Sequence, residues 1–378
     1  MSKLTELVEK LCPNGVPFFF LSELEDSGRI TLGRGMIISK NEMKDNPGPY
    51  PVYSSSSTNN GLIGTYGKYM FDDERLTWSI DGGGKFFYRN NEKYSVTNVG
   101  GWLKVNDSNI STRFLYHAIS SEWSKKTFDY IHKAHPSVIR DEYYIPIPPL
   151  QVQCEIVRIL DKFIELTAEL TAELTAELTE RKKQYEYYRE KIFTHHVNDK
   201  AEKFSATCEM KAGKAIPSDL ISPQKTSDHI YECFGGNGIR GYVQHSNCHG
   251  EHPIIGRQGA LCGNVNYASG DFYATEHAVV VTSKGRYLQR YLYHLLTYMD
   301  LNQYKSQGAQ PGLAVKNLLE LSAVVPPLDE QRKAVLILDS FNSCLNDLSV
   351  SLPAEIEARQ KQYEYYRDKL LMFKELKN

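Results

Sequence analysis

Apolar residues recur at helical spacing over a long stretch in the middle of the chain. Turned at 100° per residue, Val152, Ile156, Ile159, Phe163, Leu166, Leu170, Leu174, Leu178, Tyr185, Tyr188 and Ile192 fall in one arc roughly 120° wide. The phase predicts a single amphipathic helix of about 41 residues, roughly 60 Å long. Its centre reads ELTAELTAELTAELTE (165–180), with Thr-Ala-Glu-Leu written three times without variation. Ala, Glu and Leu are among the best helix formers, and no Gly or Pro interrupts them. A helix of this length needs a partner along it.

That partner is written in the same chain. KQYEYYR at 183–189 returns at 361–367, Pro148-Pro149-Leu150 with Gln153 returns as Pro326-Pro327-Leu328 with Gln331, and Leu160-Asp161-x-Phe163 returns as Leu338-Asp339-x-Phe341, all at an offset of 178. Between these landmarks the second stretch has no Thr-Ala-Glu-Leu. Ile337, Phe341, Leu348, Leu352, Ile356, Tyr363, Tyr366 and Leu370 nevertheless keep the apolar phase. Leu166, Leu170, Leu174 and Leu178 on one helix, and Leu348, Leu352 and Ile356 on the other, are the expected spacer and pairing positions. Pro353 should kink the second helix or restart it behind Ser351.

Ahead of each helix the grammar changes to short β-branched and aromatic runs separated by Gly and Pro clusters, which predict strands. A helix is expected near 112–120 and another around 123–130. The echoes continue here: Gly61-Leu-Ile-Gly64 with Gly238-Ile-Arg-Gly241, Val96-Thr97 with Ala274-Thr275, and Arg113-Phe-Leu-Tyr-His117 with Arg290-Tyr-Leu-Tyr-His294. The chain is therefore a duplication, divided as a globular unit (1–150), a long helix (151–195), a second globular unit (196–328) and a second long helix (329–378).

Composition narrows the chemistry. The formal net charge of -2 excludes a basic arm, so any nucleic-acid contact must come from local patches. Seven cysteines, odd in number and without CxxC spacing, suit a reducing cytoplasm. No signal peptide and no membrane-length apolar run is read. Catalytic signals are weak. Asp81-Gly-Gly-Gly-Lys85 lacks phosphate-loop spacing. His245, Cys248, His249 and His252, near Cys233 and Cys262, match no familiar zinc spacing. Glu42-Met-Lys44 has the Glu-x-Lys of some nucleases without a matching Asp. Readings as a coiled-coil scaffold or inhibitor, or as a self-sufficient nuclease, stand beside the binding reading.

Binding is better supported. Both globular units carry loops rich in side chains that hydrogen-bond to bases and phosphates. In the first these are Ser56, Ser57, Thr58, Asn59, Asn60, Lys85, Arg89, Asn90, Lys133 and His135. In the second they are Asn237, Arg240, Gln244, Arg257, Gln258, Lys305, Gln307 and Gln310. Arg and Gln make bidentate contacts to guanine and adenine edges, which singles out Arg257-Gln258; the corresponding residues of the first unit are Ile80-Asp81.

The doubled Pro-Pro-Leu-x-x-Gln motif, the twin KQYEYYR helices, the opening Leu11-Cys-Pro-Asn-Gly15 and above all the Thr-Ala-Glu-Leu array resemble the specificity subunit of type I restriction-modification enzymes. The likeness covers essentially the whole chain. It implies an α+β architecture in which two α/β target recognition domains are joined by two long antiparallel helices in a coiled coil, duplicated with pseudo-two-fold symmetry. Each domain would read one half of an asymmetric bipartite DNA site, with the helices setting the spacing. The helices would also dock two methyltransferase subunits, with Tyr185, Tyr188, Tyr363 and Tyr366 as expected partner contacts, and restriction subunits would join for cleavage. The family's specificity subunit is not catalytic. No cofactor is expected here; S-adenosylmethionine, ATP and Mg2+ would be used by the partner subunits.

Overall fold

Both long stripes are unbroken helices, Leu150–Thr194 of 45 residues and Leu328–Leu370 of 43 residues. The computed structural model describes residues 3–56, 59–81, 83–128, 132–195, 199–306 and 311–376. The chain forms two units, Met1–Ala172 together with Pro353–Asn378, and Glu173–Leu352. Each unit thus holds the start of one long helix and the end of the other.

In the first unit the strands are β1 (Ile30–Arg34), β2 (Tyr50–Tyr53), β3 (Leu62–Tyr66), β4 (Arg75–Ser79), β5 (Phe86–Arg89), β6 (Ser95–Val96) and β7 (Gly100–Val105). They form a four-stranded sheet in the order β1-β7-β4-β5 and a three-stranded sheet in the order β3-β2-β6. Strand β4 is buried along its whole length, as its central place requires. Its helices are α1 (Lys3–Leu11), α2 (Thr112–Trp123), α3 (Pro136–Glu142) and the first long helix, α4 (Leu150–Thr194). The helix expected around 123–130 does not form over the described residues 124–128, where the chain turns after Trp123.

In the second unit the strands are β8 (Cys208–Ala212), β9 (Tyr231–Gly235), β10 (Gly238–Val243), β11 (Cys248–His249), β12 (His252–Gly256), β13 (Val265–Ala268), β14 (Asp271–Ala274) and β15 (Ala278–Ser283). Their sheets run β8-β15-β12-β13 and β10-β9-β14-β11. Strand for strand this repeats the first unit, down to the one parallel pairing, β2 with β6 and β9 with β14. The addition is the two-residue strand β11. Helices α5 (Gln289–Tyr298), α6 (Val315–Glu320) and the second long helix, α7 (Leu328–Leu370), follow; outside these sheets lie the short strand pairs Phe18–Phe20 with Tyr144–Pro146 and Glu202–Lys203 with Ser322–Ala323, and the short helices Leu21–Asp26, Lys40–Asp45 and Phe204–Thr207.

The apolar stripes explain how the helices are held. Val152, Ile156 and Leu160 of α4 share the first core with Trp78, Phe86, Leu103 and Phe114, and Leu370 and Leu371 from the end of α7 join them. In the second unit Ala334 of α7 lies in a core with Tyr291, Leu292 and Leu296, and Ile192 and Phe193 from the end of α4 pack on it. Phe163 meets Tyr366 at 5.3 Å between ring centroids, and Tyr188 meets Phe341 at 5.4 Å. Within each unit the two helices run antiparallel, late residues of one against early residues of the other.

Helix α7 continues through Pro353 instead of restarting behind Ser351. Proline removes one backbone donor and leaves the carbonyl four residues earlier without it, but the preceding and following turns keep their bonds. The last residues of the chain return to its beginning. Val16 donates to the Lys374 carbonyl at 2.8 Å and Leu376 donates to the Val16 carbonyl at 2.9 Å. Gly15, at φ 120°, lies so close that a Cβ would meet the Lys374 oxygen at 2.7 Å, so the opening Cys-Pro-Asn-Gly turn needs its glycine.

Candidate nucleic-acid interface

The recurring motifs turn out to be clamps that fix each globular unit to its long helix. Gln153 is fully buried; its Oε1 accepts from the Ser111 backbone at 2.9 Å, and its Nε2 donates to the carbonyls of Asn109 and Pro148 at 2.9 and 2.7 Å. Gln331 repeats this, accepting from Leu288 at 2.8 Å and donating to Arg286 and Pro326 at 3.0 and 2.8 Å. One amide side chain satisfies the free donor at the start of α2 or α5 and two loop carbonyls, which is why the motif is Pro-Pro-Leu-x-x-Gln.

About two turns further along, Asp161 faces α2. Arg113 Nε donates to it at 2.8 Å, and His117 Nε2 lies 3.3 Å away. The copy is Asp339 with Arg290 at 2.9 Å and His294 at 2.7 Å. Burial pushes both imidazoles below their ordinary range, against the opposing pull of the aspartates. Burial alone would raise the aspartates, but hydrogen bonds from the histidine and the arginine hold both below the usual carboxylate range. Arg-x-x-x-His and Leu-Asp-x-Phe had each recurred in the sequence. Their nearly equal offsets, 177 and 178, were the signal that they are partners.

With the sheets fixed in this way, three connections meet at one end of each unit. In the first, the loop after β2 is tied to β4, Ser79 Oγ donating to the Ser55 carbonyl at 2.6 Å. Thr97 Oγ1 donates to Ser54 Oγ at 2.7 Å. The turn after β4 receives the segment before α3, with Ala134 N on the Ile80 carbonyl at 3.2 Å and Lys133 Nζ 2.9 Å from Asp81. In the second unit the β9-β10 turn, the loop after β12 and the segment before α6 meet in the same way. Gln258 bridges to Gly312, Leu313 N donates to the Arg257 carbonyl at 2.8 Å, and Asn264 Nδ2 donates to Asn237 Oδ1 at 2.7 Å. Lys305 joins them through Asn302, at 2.8 Å.

The expected residues fall into three groups. Brought together on these surfaces are Ser56, Asn59, Asn60, Lys133 and His135 in the first unit, and Asn237, Arg257, Gln258 and Lys305 in the second. Lys85 and Asn90 are exposed at the two ends of β5. Arg240 is exposed on β10 with its guanidinium on Ser218 Oγ at 2.6 Å, and Gln244 lies beyond Val243, at the end of the β9-β10 hairpin away from Asn237. Ser57, Thr58, Gln307 and Gln310 lie outside the described residues.

Arg89 is a correction. It is buried, donates to Thr77 Oγ1 at 3.0 Å and to the Asn60 carbonyl, and lies 3.4 Å from the centroid of Tyr53. Its role is to support the left-handed Asn60 (φ 52°) from below. The four tyrosines expected to face partners divide: Tyr185 and Tyr363 are half-buried, while Tyr188 and Tyr366 remain 42% and 36% exposed. Tyr363 is packed against the first core, its hydroxyl 3.0 Å from His117 Nδ1. Tyr366, Tyr185 and Tyr188 turn toward the opposite helix. Helical spacing puts the second tyrosine of each KQYEYYR motif outward: Tyr187 and Tyr365 are 60% and 61% exposed.

The residues considered for a metal do not assemble. Cys233 and Cys262 are buried in different places, and His249 Nδ1 is 2.8 Å from Asp271. Among the described residues no group of three or more His, Cys, Asp or Glu is placed to hold a metal ion. Glu42 accepts from the Tyr66 hydroxyl at 2.7 Å. Chemically, the converging loops offer amides, ammonium groups and a guanidinium, which suits hydrogen bonding to base edges and phosphates. Among the described residues no helix is long and apolar enough to cross a membrane.

The profile of the type I restriction modification DNA specificity domain matches the chain twice, at residues 18–180 and 197–358. The type I restriction enzyme EcoprrI specificity subunit of Escherichia coli is 46% identical over 253 residues, covering 64% of this chain and 63% of that protein. A Mycoplasma pneumoniae chain carrying the name type I specificity subunit S.MpnORF507P is 29% identical over 369 residues, covering 93% of this chain and 97% of that one. A solved chain of the type I R-M system, 14% identical, superposes with a TM-score of 0.68 over 95% of this chain and 98% of that chain. The last likeness concerns the fold.

Proposed function

The chain belongs to the type I restriction-modification DNA specificity family, and on that premise we propose that each of its two units reads one half of a bipartite DNA site. The observation that carries this reading is the repeated convergence of three loops. One backbone plan, the same but for the added two-residue strand β11, presents Ser, Asn and Lys around Ile80-Asp81 in the first unit and Asn237 around Arg257-Gln258 in the second. A duplicated scaffold with different side chains on its loops is what reading two unlike half-sites requires. The long helices set the distance between the half-sites and dock methyltransferase subunits. Adenine methylation with S-adenosylmethionine, and ATP-driven translocation and cleavage, belong to the partner subunits, and this chain supplies the address.

The partner surface of the helices lies on their outward faces. Tyr187 and Tyr365 point away from the helix pair. In the second unit a cavity of about 320 Å³ between the end of α4 and the start of α7 is lined by Tyr188, Ile192, Ala334 and Ile337, with the charged Lys191, Lys333 and Glu330 also lining it. That chemistry fits an apolar side chain on the methyltransferase subunit.

Sequencing the methylated sites in cells expressing the system tests the reading. Arg257→Ala with Gln258→Ala should relax one half-site and leave the other intact, because each bidentate contact discriminates by about 1–3 kcal/mol. Uniform weakening over all sequences would assign these residues to phosphate and overturn their role. Deleting residues 175–178 removes about 6 Å of helix, and should shorten the preferred spacer by about one or two base pairs at ~3.4 Å each. Changed half-sites with an unchanged spacer would refute the ruler.

A further inference from the structure

A fourth connection reaches the same end of each unit, and none of its residues was singled out by the sequence. After β1 the chain passes over the turn that follows β6. Gly35 N donates to the Gly100 carbonyl at 3.1 Å, and Met36 N donates to the Val96 carbonyl at 2.9 Å. The approach is so close that a Cβ on Gly35 would lie 2.0 Å from the Val96 oxygen. Arg34 adds two hydrogen bonds to the Asn98 carbonyl at 3.0 and 2.7 Å. This loop is therefore rigid, and it sits beside Thr97, the residue bonded to Ser54 of the candidate interface.

The second unit repeats the device. Gly213 N donates to the Ala278 carbonyl and Lys214 N to the Ala274 carbonyl, both at 3.0 Å, and a Cβ on Gly213 would again lie 2.0 Å from a carbonyl, that of Ala274. What the device presents differs. In the second unit it is Lys214, an exposed cation suited to a phosphate. In the first it is Met36 and Ile37, 61% and 77% exposed, two consecutive large apolar residues at the edge of a polar surface. An exposed apolar pair that starts at a residue held by these backbone bonds is suited to a partner with an apolar group. On a DNA-facing surface that group is the thymine methyl, which projects into the major groove.

We propose that Met36 and Ile37 contact the 5-methyl group of a thymine in the half-site read by the first unit. The inference rests on the reading of the chain as a DNA specificity subunit. Its test uses the complex with methyltransferase subunits, the wild type beside Met36→Ser/Ile37→Ser and the single Ile37→Ser variant. Duplexes carry the methylated site with each thymine of each half-site replaced in turn by uracil, which removes only the methyl group. The wild type should lose about fourfold in affinity at one position of one half-site, the equivalent of about 0.8 kcal/mol for one buried methyl. The double variant should bind the thymine and uracil duplexes equally there, and the single variant should fall between. A wild type indifferent to uracil throughout, or a double variant that still discriminates, would overturn the proposal. A wild-type complex that fails to prefer its site over a scrambled duplex would overturn the underlying reading instead.

Discussion

Gln153 and Gln331 show how much one buried side chain can organise. Each joins a helix start to two loop carbonyls with no exposed surface of its own. Replacing either by Leu leaves one amide and two carbonyls without partners and should cost about 2–4 kcal/mol, read as a lower thermal midpoint; an unchanged midpoint would show that water takes over. His117 and His294 give a pH dependence. Their folded pKa values lie below the unfolded value of about 6.5 because burial disfavours the charged form. Stability is therefore fully present above about pH 6.5 and declines as pH falls toward the folded values, by up to about 1.4 kcal/mol per pH unit for each histidine. Thermal unfolding between pH 7.5 and 5.5 should show this slope, and His117→Gln with His294→Gln should flatten it. Arg89 marks the limit of reading at this scale. Its neighbours Phe86, Phe87 and Tyr88 are an aromatic run that reads as a strand, but nothing in the run reveals that Thr77 and the Asn60 carbonyl would draw the guanidinium inward.

At the scale of elements the long helices were the most legible part of the chain. Phase over eleven apolar positions fixes a helix regardless of tertiary context. Thr-Ala-Glu-Leu is compatible with it because the hydroxyls find partners inside the helix: Thr167 and Thr171 each donate to the carbonyl four residues earlier at 2.8 Å, and Thr179 does so at 2.9 Å. The same phase could not tell which tyrosine of KQYEYYR faces out, because Tyr185 and Tyr188 suit a seam as well as a partner surface. Pro353 was legible as a fault and not in its outcome. Since α7 runs through it, Pro353→Ala should stabilise the chain by about 1–3 kcal/mol, and a lower midpoint would mean that the proline relieves a constraint in the helix. Ile337 is 42% exposed beside the cavity between the helices. Ile337→Glu should abolish co-purification of a methyltransferase subunit while leaving thermal unfolding of the chain within about 0.5 kcal/mol. Retained co-purification would move the docking surface elsewhere.

For the whole molecule, the duplication could be read from offsets of 177 and 178, while the make-up of the two units could not. Sequence divides the chain at its helix boundaries. By contact, one unit gathers the two ends of the chain and the other its middle. The return of Lys374 and Leu376 to Val16 closes the first unit, and it depends on a long-range contact with no local signature beyond the Cys-Pro-Asn-Gly turn. This closure also sets an order in time. During synthesis the middle unit, Glu173–Leu352, has all its residues while the first still lacks the final stretch, Pro353–Asn378. At roughly 5–20 residues per second that stretch takes on the order of one to five seconds. The half of the protein that begins first is therefore finished last. Until then Val152, Ile156 and Leu160 wait beside a core that Leu370 and Leu371 have yet to join.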